Sequence, residues 1–268
     1  MLTFVGLGLD HEGGLTLSGL KRAVEAEKIY IELYTSLMPR LSIQNLEKIL
    51  GKPIVKLSRE DLEERPEETI LKDADASDVV LLVPGDPMAA TTHIDLRLRA
   101  YKLGIETKVI PGVSILTAAA GAAGLQNYKF GRTVTIPFPS EIYRPETPYD
   151  VIGENTARRL HTLVLLDIAA SHGRYMTVRE GLEYLLSIEK RRREGVVTPE
   201  RIAVGVARVG SDQPTIKCSR VGDLLQFDFG GPPHIIIFIG ELHFMEKEAL
   251  KAFAGAHCSE GLLGGNYG

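Results

Sequence analysis

The sequence predicts an α/β protein of two domains, and three observations carry that reading. Short apolar runs alternate with helical patterns through the first half. Two of those runs stop at Pro, and two of the helical patterns stop at Gly. At 268 residues the chain exceeds the usual length of one domain. In order, Leu2–Leu9 reads as a buried strand, and Thr16 caps a helix through Leu20, Ala23 and Val24. Ile29–Leu33 is the next strand, followed by a helix over Ser42–Leu50 closed by Gly51. Ile54–Leu57 is a short strand, and the charged run Arg59–Glu68 reads as a solvated face. Asp78–Val83 is a strand stopped by Pro84, and a helix over Thr92–Leu103 ends at Gly104. Glu106–Ile110 is a strand stopped by Pro111, ahead of a small-residue helix over Ser114–Ala123. Strands alternating with helices on short connections imply a mostly parallel sheet with helices flanking it.

The texture changes near Tyr128. Thr133–Pro148 carries four prolines and no helical period, so it reads as a strand followed by an irregular connection near a domain boundary. Beyond it the expected elements are a helix at Val151–Leu160, a strand at Thr162–Ile168 and a helix at Val178–Lys190. Strands at Ile202–Arg208, Thr215–Ser219 and His234–Ile239, a short helix over Val221–Gln226 and a last helix at Phe244–Ala254 complete it. Several strands here lack long intervening helices, which predicts a mixed α+β domain. The expected division is residues 1–126, residues 127–254, and a flexible tail over 255–268 with five glycines.

Composition narrows the function. Hydrophobic residues are 44% and charged residues 25%, which suits a packed globular chain. The net charge of −4 argues against bulk nucleic-acid binding. No apolar stretch approaches the roughly 18 residues of a membrane span, and MLTFVGLGLD has no basic region or cleavage site of a secretory signal. Cys218 and Cys258 form no CxxC, which fits a reducing cytoplasm. The run Lys190–Arg193 reads as a helix end that favours cations. No GxxxxGK[ST], GxSxG or HExxH occurs, and His11, His172, His243 and His257 read as surface residues, so no metal is expected.

Chemistry points to three turns: Gly6-Leu-Gly8-Leu9-Asp10, Pro84-Gly85-Asp86-Pro87 and Pro111-Gly112-Val113-Ser114. In a parallel sheet the loops that follow strands gather at the carboxyl edge, where ligands bind. Gly6 and Gly8 permit close backbone approach, Asp86 offers a carboxylate, and Ser114 opens a helix. One such turn is ordinary; three in succession imply a ligand held by backbone groups and apolar side chains. A nicotinamide site using Gly6, Gly8 and Glu32 as a ribose-binding acid is an alternative, although the third fingerprint glycine is missing.

GLGLD, VPGDPMA and PGVSI, in that order, resemble the tetrapyrrole methylase family of S-adenosylmethionine-dependent methyltransferases. The segments Leu33–Met38, Gly85–His93, Tyr128–Gly131, Leu160–Ile168, Val206–Ser211 and Gly230–Ile236 resemble the subgroup that modifies translation elongation factor 2. The resemblance spans about Leu2 to Ala254 and implies two α/β domains with the cofactor in the cleft between them. It further implies repeated methylation of the amino group of a 3-amino-3-carboxypropyl arm on a histidine of that factor, releasing S-adenosylhomocysteine. A cytoplasmic homodimer is implied as well. Carried over by position, the cofactor contacts are Leu9, Asp86, Ala89, Ser114 and Ile115, with Leu166, Val209 and His234 from the second domain. A tetrapyrrole precursor as methyl acceptor remains an alternative. No catalytic base is assigned: Asp86 and His93 lie near the expected cleft, and each has an ordinary role as turn former or helix-opening residue.

Overall fold

The computed structural model describes residues 1–255; the expected flexible tail beyond Gly255, with His257 and Cys258, lies outside the described residues. The chain divides into two compact units, Met1–Ile115 with Ala170–Gly173, and Leu116–Ala169 with Arg174 onward. The elements of the first are β1 (Leu2–Gly6), α1 (Leu17–Glu25), β2 (Lys28–Glu32), α2 (Ile43–Leu50), β3 (Ile54–Leu57), α3 (Arg59–Glu63), α4 (Ile70–Ala76), β4 (Val79–Val83), α5 (His93–Lys102) and β5 (Thr107–Ile110). Its sheet has the order β3-β2-β4-β1-β5, with every pair parallel. All five residues of β1 and of β4 are buried, as strands covered on both faces require. The alternation is regular: Val79, Leu81 and Val83 of β4 pack with Phe4, Leu96 and Ala100, while Val80 and Leu82 pack with Val5, Ala23 and Leu46. Helices therefore cover both faces of the first sheet, as expected.

Local signals set the helix ends. Thr16 accepts from the Gly19 N–H to open α1, Ser42 opens α2, and Gly51 closes it with φ +69°. The charged run after β3 differs from its expectation as a solvated face. Ser58 and Asp61 form a capping box that starts α3, and Leu62 points into the core, so the run is amphipathic. Its many carboxylates obscure the single buried position in composition.

The second unit holds α6 (Ile115–Ala123, whose first residue falls in the first unit), β6 (Val134–Ile136), α7 (Thr147–Ala157), β7 (Thr162–Leu166), β8 (Ile168–Ala169), β9 (Arg174–Tyr175), α8 (Val178–Arg192), β10 (Ile202–Ala207), β11 (Thr215–Arg220), α9 (Val221–Leu224), β12 (His234–Phe238) and α10 (Phe244–Phe253). Its sheet runs β11-β10-β12-β7-β6, with only β6–β7 parallel, which is the mixed arrangement expected. Val164, Ile236 and Phe238 pack with Tyr149, Ile152, Leu182, Leu185 and Ile188 as its core. Helix α7 begins earlier than the Val151 expected, because Pro148 sits in its first turn, where a missing N–H costs nothing. The strand expected to reach Ile168 stops at Leu166. Asp167 there turns its carboxylate onto the Phe138 and Ile168 N–H groups at 2.6 and 2.8 Å.

The run Lys190–Arg193 ends α8 as expected. Arg191 pairs with Glu146, Arg192 pairs with Asp150 and Glu194, and Arg193 is the left-handed cap. Among the described residues no helix is long and apolar enough to cross a membrane.

Candidate active site

The three turns follow β4, β1 and β5, which are neighbours in the sheet, and the backbone brings them into direct contact. Leu7 N–H donates to the Val83 carbonyl at 2.8 Å; Gly8 and Gly85 exchange N–H···O bonds of 3.2 and 2.8 Å. A Cβ on Gly6 would stand 2.4 Å from the Gly112 nitrogen, and one on Gly112 would stand 2.2 Å from the Gly85 carbonyl oxygen. Glycine is therefore required at positions 6 and 112 by the approach of one turn to the next. This alters the expected role of Gly6, which packs turn against turn. Gly8 has φ +74°, and a Cβ there would lie 2.7 Å from the Gly14 carbonyl oxygen, so it too is demanded by the fold.

Asp86 ties the turns together. Its Oδ1 accepts from the Met88 N–H at 2.9 Å, and its Oδ2 accepts from the Gly112 N–H at 3.2 Å. The first contact is an Asx turn that shapes its own loop; the second crosses from the β4 turn to the β5 turn. Each oxygen keeps a second lone pair for a ligand. Leu9, Asp86, Ala89, Ser114 and Ile115 are all half-buried, so each retains surface at this edge. The sheet order thus brings together all five residues expected from the first half.

The three residues expected from the second half also share one sheet end. Leu166 ends β7, Val209 follows β10, and His234 begins β12. Their strands pair antiparallel, with Ala207 opposite His234 and Leu165 opposite Ile235. Their side chains are less available than those of the first group. Leu166 is 7% exposed and packs in the core, leaving mainly its backbone at the edge. His234 is 6% exposed; its Nδ1 accepts from the Val178 N–H at 3.3 Å, so its Nε2–H donates to the Gly231 carbonyl at 3.1 Å. Burial holds its imidazole below the ordinary value. Val209 is half-buried.

Backbone strain marks the same loops. Among the described residues Asp10, Ala90 and Arg208 have φ of +71°, +57° and +54°, and they adjoin Leu9, Ala89 and Val209 respectively. The other two such non-glycine residues, Arg159 and Arg193, follow or cap helix ends. A left-handed non-glycine residue costs about 1–2 kcal/mol and persists where its surroundings over-determine it, often at ligand sites. Asp10 is held by Arg40, whose Nε donates to Oδ2 at 2.6 Å and whose N–H donates to the Asp10 carbonyl at 3.0 Å. Arg208 donates to the Phe229 and Gly231 carbonyls at 2.8 and 2.5 Å and to the Thr215 hydroxyl at 2.7 Å. Arg40 lies in no motif; Arg208 lies in the segment Val206–Ser211, where sequence reasoning assigned it no role of its own.

Glu32 corrects the nicotinamide alternative. It is fully buried at the end of β2, where Oε2 accepts from the Tyr34 and Thr35 N–H groups at 2.9 and 3.1 Å and Oε1 accepts from the Thr35 hydroxyl. A carboxylate so occupied and so enclosed cannot hold a ribose. His93 likewise differs from an ordinary helix-opening residue, for it is 1% exposed although it begins α5. Of the histidines expected at the surface, His11 and His243 cap helical turns and His172 is exposed.

The family Tetrapyrrole (Corrin/Porphyrin) Methylases matches residues 1–224. The diphthine synthase of Methanocella arvoryzae is 48% identical over 255 residues, covering 95% of this chain and 98% of that protein. The diphthine synthase of Methanocaldococcus jannaschii is 48% identical over 253 residues, covering 94% and 98%. A crystal structure of diphthine synthase superposes with a TM-score of 0.85 at 40% identity, covering 95% of this chain and 96% of that one. A chain that the family matches over residues 1–224, with relatives 48% identical that cover 94–95% of it, belongs to the tetrapyrrole methylase family, in its diphthine synthase branch.

Proposed function

We propose that this chain is an S-adenosylmethionine-dependent methyltransferase that methylates the amino group of the 3-amino-3-carboxypropyl-histidine arm of translation elongation factor 2. The observation that carries the reading is the backbone-to-backbone meeting of the three turns at one sheet edge, in a chain 48% identical to diphthine synthases over 95% of its length. Leu9, Asp86, Ala89, Ser114 and Ile115 are the cofactor contacts of the first unit under this reading, and Leu166, Val209 and His234 those of the second. Leu166 and His234 act through their main chain, since their side chains are committed to the interior. A cytoplasmic location and a homodimer complete the proposal.

The cofactor supplies a methyl group already activated on sulfur. The chain's own task is then to bind, to align the acceptor amine behind that methyl carbon and to exclude water. Alignment of this kind lowers a barrier by about 7–11 kcal/mol in favourable cases. The turns suit that task because their glycines and cross-turn bonds fix the backbone before any ligand arrives. The attacking amine must be neutral, so an ammonium with an ordinary value near 10 loses its proton before it reacts.

Incubation with S-adenosylmethionine and the factor bearing the carboxypropyl arm should raise the factor's mass by whole methyl units. An unchanged mass overturns the reading. A shifted absorption band on adding a corrin or porphyrin precursor would favour the tetrapyrrole acceptor instead. Size-exclusion chromatography with light scattering tests the homodimer.

A further inference from the structure

Two subgroup segments, Leu33–Met38 and Gly85–His93, meet inside the first unit at a pair of buried ionisable groups. Glu32 stands just before the first, and His93 closes the second. The His93 Nδ1 lies 3.1 Å from the Pro87 carbonyl oxygen. A carbonyl only accepts, so Nδ1 carries the proton, and in a neutral ring Nε2 is then a bare lone pair. That Nε2 has no hydrogen-bond partner among the described residues and stands 3.9 Å from Glu32 Oε1. Glu32 already accepts three donors from Tyr34 and Thr35 and has none to give while ionised. Two acceptors therefore face each other in the interior, an arrangement that one added proton resolves.

We propose that Glu32 and His93 share a single proton and act as positioning residues for the turn that carries Asp86 and Ala89. This rests on the cofactor reading of that turn. The connection is short and closed. The Pro87 carbonyl accepts from both His93 Nδ1–H and the Thr91 hydroxyl, the latter at 2.6 Å, and this loop encloses the strained Ala90. With the proton present, His93 is drawn to Glu32 and the loop is anchored to the end of β2. With it absent, two lone pairs repel and the anchor loosens.

Burial raises the Glu32 carboxyl above its ordinary value, and the donors of Thr35 and Tyr34 with the His93 charge oppose that rise. A cavity of about 280 Å³ lies beside the pair, lined by His93 with Tyr34, Leu62, Glu63, Thr92, Asp95 and Leu96. The charged and titratable groups around the pair are Tyr34 after β2, Glu63 and Arg59 of α3, and Asp95 of α5. Glu63 is bonded to Arg59 and Thr92, and Asp95 to Arg99.

Glu32→Gln gives a decisive variant. Its amide oxygen keeps the Tyr34 and Thr35 N–H bonds, and its amide N–H supplies His93 Nε2 with a permanent donor. Calorimetry with S-adenosylhomocysteine between about pH 5 and 9 compares the two chains. The parent should lose about tenfold in affinity as the pH rises, whereas E32Q should hold the low-pH affinity throughout. Identical profiles for parent and E32Q overturn the proposal.

His93→Asn keeps a donor for Pro87 and removes the shared proton; it should bind about tenfold more weakly than the parent at low pH, with melting confirming the fold. Parent-like binding by H93N also overturns it. The imidazole ¹⁵N spectrum of His93 needs no cofactor: Nε2 should gain and lose a proton in the parent and remain an acceptor in E32Q. A parent Nε2 that never takes a proton, in a chain whose Glu32 is ionised, overturns the pair. Failure to bind S-adenosylhomocysteine at every pH overturns the functional reading instead, and the spectrum still decides the pair.

Discussion

Each unit buries one histidine against one glutamate, and the two pairs solve the same problem in opposite ways. In the second unit His161 Nδ1 accepts from the Gly240 N–H at 2.9 Å, so Nε2 carries the proton and donates to Glu246 Oε1 at 3.1 Å. Glu246 also accepts from Lys129 at 2.6 Å and from the Gln126 and His243 N–H groups, both at 2.9 Å. Every partner is satisfied with a neutral ring and an ionised carboxylate. In the first unit a carbonyl replaces the N–H on Nδ1, which reverses the tautomer and leaves Nε2 facing Glu32 without a proton. The difference lies in one backbone group on the far nitrogen. It teaches that a buried His–Glu pair is inert or poised according to what its second nitrogen touches.

The largest effect should follow from breaking the closed pair. Glu246→Ala strands the His161 Nε2–H and two backbone N–H groups and removes the Lys129 ion pair, and should cost about 3–5 kcal/mol of stability, read from the urea midpoint. A smaller loss is expected on the other side of the comparison. Asp86→Ala leaves the Met88 and Gly112 N–H groups unpaired, which should cost about 1–3 kcal/mol and weaken S-adenosylhomocysteine binding in calorimetry. Unchanged affinity there would reduce Asp86 to a turn former.

The pH response should separate the units by sign. Burial pushes the Glu246 carboxyl up, but the Gln126 N–H and Lys129 more than offset it, and its value lies below the ordinary one. Burial also lowers His161, against the opposing pull of Glu246. Both groups therefore contribute stability that is present above their unfolded values and lost as the pH falls through the folded ones. Glu32 is raised by burial, so its contribution is present below the unfolded value and lost as the pH rises. Hydrogen exchange should find amides around His161 losing protection on acidification and those around Glu32 losing it on the alkaline side. Matching trends would erase the contrast.

The smallest effect belongs to an exposed network. Arg192→Ala removes ion pairs to Glu146, Asp150 and Glu194 at the surface end of α8, and should leave the urea midpoint unchanged within error. A shift as large as that of Glu246→Ala would show that the count of ion pairs, and not their enclosure, governs the comparison.

Much of this was legible in the residues themselves. Short apolar runs and helical spacing located the main strands and helices of both units, Thr16, Ser42 and Gly51 marked helix ends, and the glycine turns marked one edge. Those signals are local, fixed by backbone geometry within a few residues. Helix α3 escaped because one buried leucine among the eight charged residues of the run Arg59–Glu68 leaves almost no amphipathic signal. Glu32 was visible as an acid at a strand end, and its task was misread. Sequence order alone does not say that Thr35 folds back onto it or that His93 arrives beside it.

The sequence by itself determined the classes of the two units, the turns and the family resemblance, because each rests on neighbours along the chain or on motif identity. Only the tertiary structure decided that Gly6 and Gly112 serve turn packing, that Leu166 and His234 have their side chains committed, and which nitrogen of each buried histidine holds the proton. Those outcomes depend on groups tens of residues apart brought within about 3 Å, the range over which hydrogen bonds and steric exclusion act.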